Sequence, residues 1–204
     1  MTPPLLQYLE SLGYKIFTNQ LYDLNIVGIR NRRGKPDVFD DTMAVVYKDH
    51  QGWVQRMWPI TTDPGLYYLM NKDKQLNPAG TAILKEGQYR STYQIGPHGP
   101  AGYEALVQTG NTVAVWRDND HDNELDYRVN PETGWFGINI HAASSSPYSG
   151  DSTTSKVGAW SGGCQVFQNE SDFREFMAIC KHQIEHHPTW TKFTYTLVKS
   201  PKYR

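Results

Sequence analysis

Gly158-Ala159-Trp160-Ser161-Gly162-Gly163-Cys164-Gln165-Val166 sets a cysteine directly behind two glycines. A lone histidine closes Gly137-Ile138-Asn139-Ile140-His141, 23 residues before that cysteine. A thiol attacks a carbonyl as its thiolate, and a free cysteine near neutral pH is only slightly ionised. A histidine held against it accepts the proton and later returns it to the leaving amine. A thiol pKa lowered to ~6 would raise the ionised fraction about thirtyfold. Gly162 and Gly163 suit the other half of the task, since a side-chain-free backbone turns tightly and brings N–H groups towards a developing oxyanion.

Working outward, the chain reads as one strand-rich globular unit. It has 204 residues, enough to bury a core without metal or disulfides. Its 20 Lys and Arg against 21 Asp and Glu leave a net charge of −1, which argues against a nucleic-acid binder working by broad phosphate neutralisation. The 13 Tyr, 6 Trp and 17 Gly, spread over short alternating runs between turn residues, favour strands. Two cysteines are too few for a disulfide framework, and a Cys164–Cys180 bridge would withdraw both thiols from other chemistry. No stretch approaches the ~18 apolar residues of a membrane span. The first residues lack a cationic flank and an apolar run, so no signal peptide is expected and synthesis in the cytoplasm is.

Pro3-Pro4, then Leu5, Leu6, Leu9 and Leu12, closed by Gly13, predict a short N-terminal helix. Strands are expected at 14–17, 23–30, 42–48, 53–60, 81–85, 89–95, 105–108, 113–116, 137–141 and 191–199. The connection Asp49-His50-Gln51-Gly52 reads as a four-residue hairpin loop. Residues 143–155 are rich in Ser and turn formers and form a long loop, of the kind more typical of function than of a connector. From Ser171 to His187, Phe173, Phe176, Met177, Cys180 and Ile184 recur with helical spacing, which places Cys180 on a buried face as an inert thiol. His182 and His186 lie off that stripe with no acidic third ligand, so no metal is expected there. Asn31 to Pro36 is a basic turn. The run from Asp118 to Asp126 has the Asp-x-Asp-x-Asp spacing of a calcium loop, but carries Asn123 at the sixth position and Val129 at the twelfth. An acidic hairpin tip is the plainer account.

The paired motif is similar to that of the L,D-transpeptidase catalytic domain family of peptidoglycan enzymes. In that family a strand runs into a catalytic histidine, and after a loop Ser/Thr-His-Gly-Cys supplies the nucleophile. Ile138-Asn139-Ile140-His141 matches the first part and Ser161-Gly162-Gly163-Cys164 the second. The match covers about residues 135–167. It departs in three ways: Gly162 stands in place of the motif histidine, Val166 in place of a polar or basic residue, and the His–Cys interval is longer.

The resemblance implies a mainly β, L,D-transpeptidase-like sandwich with a short N-terminal helix and a longer helix after the cysteine. Residues 1–75 would form an extension packed on or merged with a catalytic domain over 76–204. Cys164 would be the nucleophile, His141 the base and acid oriented through the Ala142 carbonyl, and Gly163 with Cys164 the oxyanion donors. Ser161 would fix the turn. Ser161, Gly162, Trp160 and His98 are candidate substrate contacts, although a place in a surface loop is the plainer account of His98.

The expected function is cysteine-dependent acyl transfer or hydrolysis on peptidoglycan stem peptides: L,D-transpeptidase, L,D-carboxypeptidase or endopeptidase. No cofactor, metal or nucleic acid is expected, and delivery to the wall by phage lysis or a virion would fit a chain without an export signal. Two other classes stay open. One is a non-catalytic wall-peptide or glycan binder using Trp53, Trp58, Trp116, Trp135 and Trp160; the other is a calcium-stabilised structural domain built on Asp118 to Asp126.

Overall fold

A computed structural model describes residues 1–127 and 130–201. The chain is mainly β, with a short helix α1 (Pro4–Ser11) and a longer helix α3 (Glu170–His186). The strands are β1 (Asn25–Arg30), β2 (Asp41–Asp49), β3 (Gly52–Thr61), β4 (Thr81–Leu84), β5 (Gly87–His98), β6 (Tyr103–Gln108), β7 (Val113–Asp118), β8 (Glu132–Gly134), β9 (Ile140–Ala142), β10 (Gln165–Phe167) and β11 (Phe193–Lys199). A one-turn helix α2 (Leu66–Leu69) follows β3. The expected strand at 14–17 does not form; Phe17 instead pairs its backbone with the Asn25 side-chain amide.

The expected sandwich is replaced by a closed eight-stranded barrel, in the order β1-β11-β5-β6-β9-β10-β3-β2, beside a three-stranded sheet β4-β7-β8. Closure rests on two very short strands. β9 and β10 run parallel, with Val166 opposite His141, while β10 pairs β3 through Val166–Thr61 and Phe167–Ile60. On the other side β9 meets β6 at Leu106–Ile140. Without these pairings the remaining six strands would form an open sheet. Three-residue strands joined across a long loop leave almost no periodic signal, which is why the closure escapes a pattern-based expectation. Residues 1–75 supply β1, β2 and β3 and so belong to the same barrel as the later strands.

Alternation along β1, β2 and β11 sends side chains to two cores. Ile26, Met43, Val45, Tyr195 and Leu197 enter the main core. Val27, Ala44, Val46 and Val198 face outward, where Leu6 and Leu9 of α1 cover them. On α3, Phe173, Phe176, Met177 and Cys180 are buried, and Phe167 of β10 stacks among Trp58, Phe173 and Phe176 at ring separations of 5.0–6.0 Å. The hairpin between β2 and β3 is tighter than expected: Asp49 pairs with Gly52 across a two-residue turn, with Gly52 at φ 125°.

Arg30 ties the ends of β1, β3 and β4 together from a fully buried position. Its Nε reaches Thr62 Oγ1 at 2.8 Å and Asp63 Oδ1 at 3.1 Å. Its Nη1 donates to the Leu84 carbonyl and to Glu86, and its Nη2 to the Thr62 carbonyl. Asp41 completes the cluster by accepting from the Thr62 N–H and hydroxyl, both at 2.7 Å.

That cluster leads straight into the turn at Asp63-Pro64-Gly65, where the Gly65 N–H donates to the Ser161 carbonyl at 2.9 Å. A Cβ at Gly65 would lie 1.9 Å from the Gly158 carbonyl oxygen, a backbone atom that has no rotamer to move. Gly65→Ala is therefore expected to lower stability by about 3 kcal/mol, as overpacking does at its upper end, and to prise apart the 158–164 segment. Urea unfolding and cysteine reactivity, measured together, check both effects.

Candidate active site

The segment carrying Cys164 is pinned from the N-terminal half of the chain. Asp37 accepts from the Gly158 N–H at 2.6 Å, its carbonyl accepts from Val157, and Gly65 holds Ser161. Ser161 is buried, and its hydroxyl closes the turn by donating to the Cys164 carbonyl at 2.9 Å while accepting from the Gly163 N–H at 3.2 Å. Ser161 is thus a structural residue rather than one lining the cavity. Gly163 sits at φ 124°, and a Cβ there would meet the Ala82 carbonyl at 2.6 Å, so only glycine fits. Its N–H is engaged by Ser161, so an oxyanion would have to compete for it, whereas the Cys164 N–H lies at the same turn.

Parallel pairing brings the two motifs together. Gln165 is opposite Ile140, and the Gln165 N–H donates to the Asn139 carbonyl. Cys164 therefore comes to lie alongside Asn139, whose N–H donates to Sγ at 3.4 Å; the thiol in turn reaches the Gly137 carbonyl at 3.5 Å. His141 is buried, and its Nδ1 hydrogen-bonds the Ala142 carbonyl at 2.8 Å. With Nδ1–H spent on a carbonyl, Nε2 carries the lone pair.

Both side chains line one cavity of about 480 Å³, with Tyr68, Leu76, His98, Tyr103, Trp160 and Gly162 among its walls. Its surface is mostly apolar, and no Asp, Glu, Lys or Arg lines it among the described residues. Tyr68 and Leu76 follow β3, so the N-terminal part of the chain shapes the cavity as well as the turn.

His98 is not a loop residue. It ends β5, and its ring stacks on His141 at a centroid distance of 4.0 Å and an interplanar angle of 25°. Asn139 Nδ2 donates to its Nδ1 at 3.1 Å. The sequence singled out His98 without its place beside the base, and Asn139 was missed as a residue that touches thiol and histidine alike. Its position one step from Ile140 in the motif strand was the only available signal.

Of the tryptophans, Trp58 is core, whereas Trp160 and Trp135 are exposed. Trp160 borders the cavity, and Trp135 lines a smaller adjoining pocket that shares Tyr68, Leu76 and Gly162 with it.

Electrostatically, the resting pair is neutral. Burial pushes the Cys164 thiol up to about 11, a rise only partly offset by the Asn139 N–H. Burial and then the neighbouring His98 push His141 down to about 3, against the pull of the Ala142 carbonyl. The direction is opposite to that of a lowered thiol pKa, because the apolar walls penalise both charged forms. A thiol raised from 9.0 to about 11 is some hundredfold less ionised at neutral pH. Alkylation of Cys164 by iodoacetamide at pH 7 should run about a hundred times slower than that of the unfolded chain, and should rise nearly tenfold per pH unit until pH approaches 11. A fast, pH-independent reaction would contradict the neutral pair. Both cysteines are free, and Cys180 is buried on α3 with its thiol pushed higher still.

The acidic run forms the connection from β7 towards β8. Asp118 accepts from the Asp126 N–H and Asp122 from the Glu124 N–H, as in ordinary turns. Among the described residues no group of three or more His, Cys, Asp or Glu is placed to hold a metal ion; Val129, the twelfth loop position, lies outside them. His186 stacks on Tyr22 at 3.9 Å and bonds the His182 carbonyl. No helix among the described residues is long and apolar enough to cross a membrane.

Comparison with known proteins finds no matching family, no matching curated protein and no matching solved structure.

Proposed function

We propose that this protein is an L,D-transpeptidase-like cysteine enzyme that transfers or hydrolyses acyl groups of peptidoglycan stem peptides. The observation that carries this reading is the tautomer-fixing bond from His141 Nδ1 to the Ala142 carbonyl, which makes Nε2 the basic nitrogen of a side chain that lines the same cavity as Cys164. The two motif halves quoted above supply the substrate class.

In the proposed reaction Sγ attacks the carbonyl carbon of the scissile amide as its proton passes to His141 Nε2. The oxyanion so formed takes hydrogen bonds from the Cys164 N–H and, with the Ser161 bond displaced, from the Gly163 N–H. Collapse breaks the C–N bond, and His141 returns the proton to the departing amine, leaving a thioester on Cys164. A second amine then gives transpeptidation, and water gives carboxypeptidase or endopeptidase activity. Because the resting pair is neutral, proton transfer accompanies attack instead of preceding it.

Incubation with purified muropeptides, followed by mass spectrometry of the products, tests the reading. Products formed by the wild type and lost in both Cys164→Ala and His141→Ala support it. Products persisting in both variants would overturn it. Muropeptide binding with no product would favour a non-catalytic wall-binding module.

A further inference from the structure

We propose that His98 is a positioning residue for His141, its ring clamped face-on against the base by Asn139 so that Nε2 is presented to Cys164. This inference rests on the assignment of His141 as the base. Three contacts meet at Asn139: its N–H on Sγ at 3.4 Å, its Nδ2 on His98 Nδ1 at 3.1 Å, and its Oδ1 accepting from the Gln108 N–H at 2.9 Å. The side chain is thereby anchored to β6 and cannot swing, so His98 is held in plane. Tyr103 braces the far side of the pair, with its ring 5.4 Å from that of His98 and its hydroxyl on the Ala142 carbonyl that also receives His141 Nδ1–H.

The stack has a chemical consequence. Two imidazolium rings 4.0 Å apart repel strongly in an apolar cavity, so the pair holds at most one proton. Among the described residues the other ionisable groups that line the cavity are Cys164, Tyr103 and Tyr68, and no carboxylate lies among its walls to offset a second charge. Protonated His98 therefore blocks His141 from taking the thiol proton. Burial keeps His98 below its ordinary value, which leaves it neutral at pH 7. The acid limb of activity then reports His98 and not the base itself.

The test uses His98→Ala, which removes the ring, and His98→Phe, which keeps a stacking face and removes the titration. First, ¹⁵N-resolved NMR of the His141 ring at pH 7 needs no substrate. The Nδ1–H tautomer, set by the Ala142 carbonyl, should be nearly complete in the wild type and in His98→Phe, and should lose ground in His98→Ala, where no stacked ring keeps the imidazole in line with that carbonyl. Second, in muropeptide turnover His98→Ala should lose roughly tenfold more kcat than His98→Phe, with KM much less affected. In His98→Phe the acid limb should move down by about one pH unit or more. An unchanged His141 tautomer in His98→Ala, or an acid limb that stays put in His98→Phe, overturns the proposal. So does a change confined to KM, which would make His98 a substrate contact. Tautomer effects as expected in a protein that turns over no muropeptide would uphold the positioning role and sink the acyl-transfer reading, so the two fail separately.

Discussion

His141→Ala is expected to slow thioester formation on Cys164 by roughly a thousandfold, within the usual range for loss of a general base. The expectation is larger than for an exposed Cys–His pair because of burial. With the thiol at about 11, almost none is ionised at pH 7, so no background thiolate is available to substitute for the lost base. Mass spectrometry of acid-quenched enzyme after mixing with stem peptide reads the acyl adduct directly. The adduct should appear on Cys164 in the wild type, form very slowly in His141→Ala, and be absent from Cys164→Ala. Raising the pH should partly restore the His141→Ala rate, since hydroxide then supplies the thiolate that His141 no longer can. Cys180→Ala should behave as wild type in the same assay, because its thiol is sealed in the face that α3 packs inward. An adduct on Cys180, or one of equal rate in His141→Ala, would remove the proposed mechanism.

The second large effect concerns Arg30. Replacing it with Met should destabilise the protein by about 3–5 kcal/mol, the cost of leaving buried partners without their counter-charge. Asp63 is buried and pairs with this guanidinium, while the partly buried Glu86 pairs with it and with Lys199, and Asp41 lies beside them. Burial already raises Asp63 to about 7 despite Arg30, and Arg30 acts to lower it. Without Arg30 that carboxyl rises further and takes up a proton more readily in the folded state. The sign follows: a folded-state pKa above the unfolded value of 3.8 gives stability that is present in acid and lost as pH rises through the folded pKa. The Arg30→Met deficit should therefore shrink at pH 5 and grow at pH 8. Urea midpoints at the two pH values measure it. Adding Asp63→Leu should recover much of the loss, since an apolar pair removes both the charge and its unmet demand. A deficit independent of pH would show that packing, not charge, dominates at this position. The site should sense the change as well, because the Asp63 turn runs into Gly65 and so to Ser161.

How much of this was legible in advance differs by element. α3 was clear because five apolar residues repeat over about three turns, and α1 because Pro and Gly bracket a leucine stripe. β2, β3, β5 and β11 were legible as runs of six or more residues rich in β-branched and aromatic side chains between turn residues. β8 and β10, at three residues each, are too short to show a period; the strand expected at 137–141 forms as the three residues of β9; and the strand expected at 14–17 was apolar enough to look like one without pairing in a sheet. In the site, Cys164 and His141 could be paired from the motif, and the Ala142 carbonyl could be named as the orienting group. The partners that arrive from elsewhere in the chain could not. His98 comes from 43 residues before His141, Tyr68 and Leu76 from the segment after β3, and Asp37 and Gly65 from turns with no chemical signature of their own.

The sequence by itself determined a strand-rich chain with two helices, a cysteine behind glycines, and a histidine in a strand, because local periodicity and residue chemistry are written in consecutive positions. Only the tertiary structure decided that the sheet closes into a barrel and that β9 and β10 lie side by side as its closing strands. It also decided the burial that pushes the thiol pKa up and the imidazole pKa down. These depend on pairings between distant segments and on how much water they exclude, and neither quantity is carried by any short stretch of the chain.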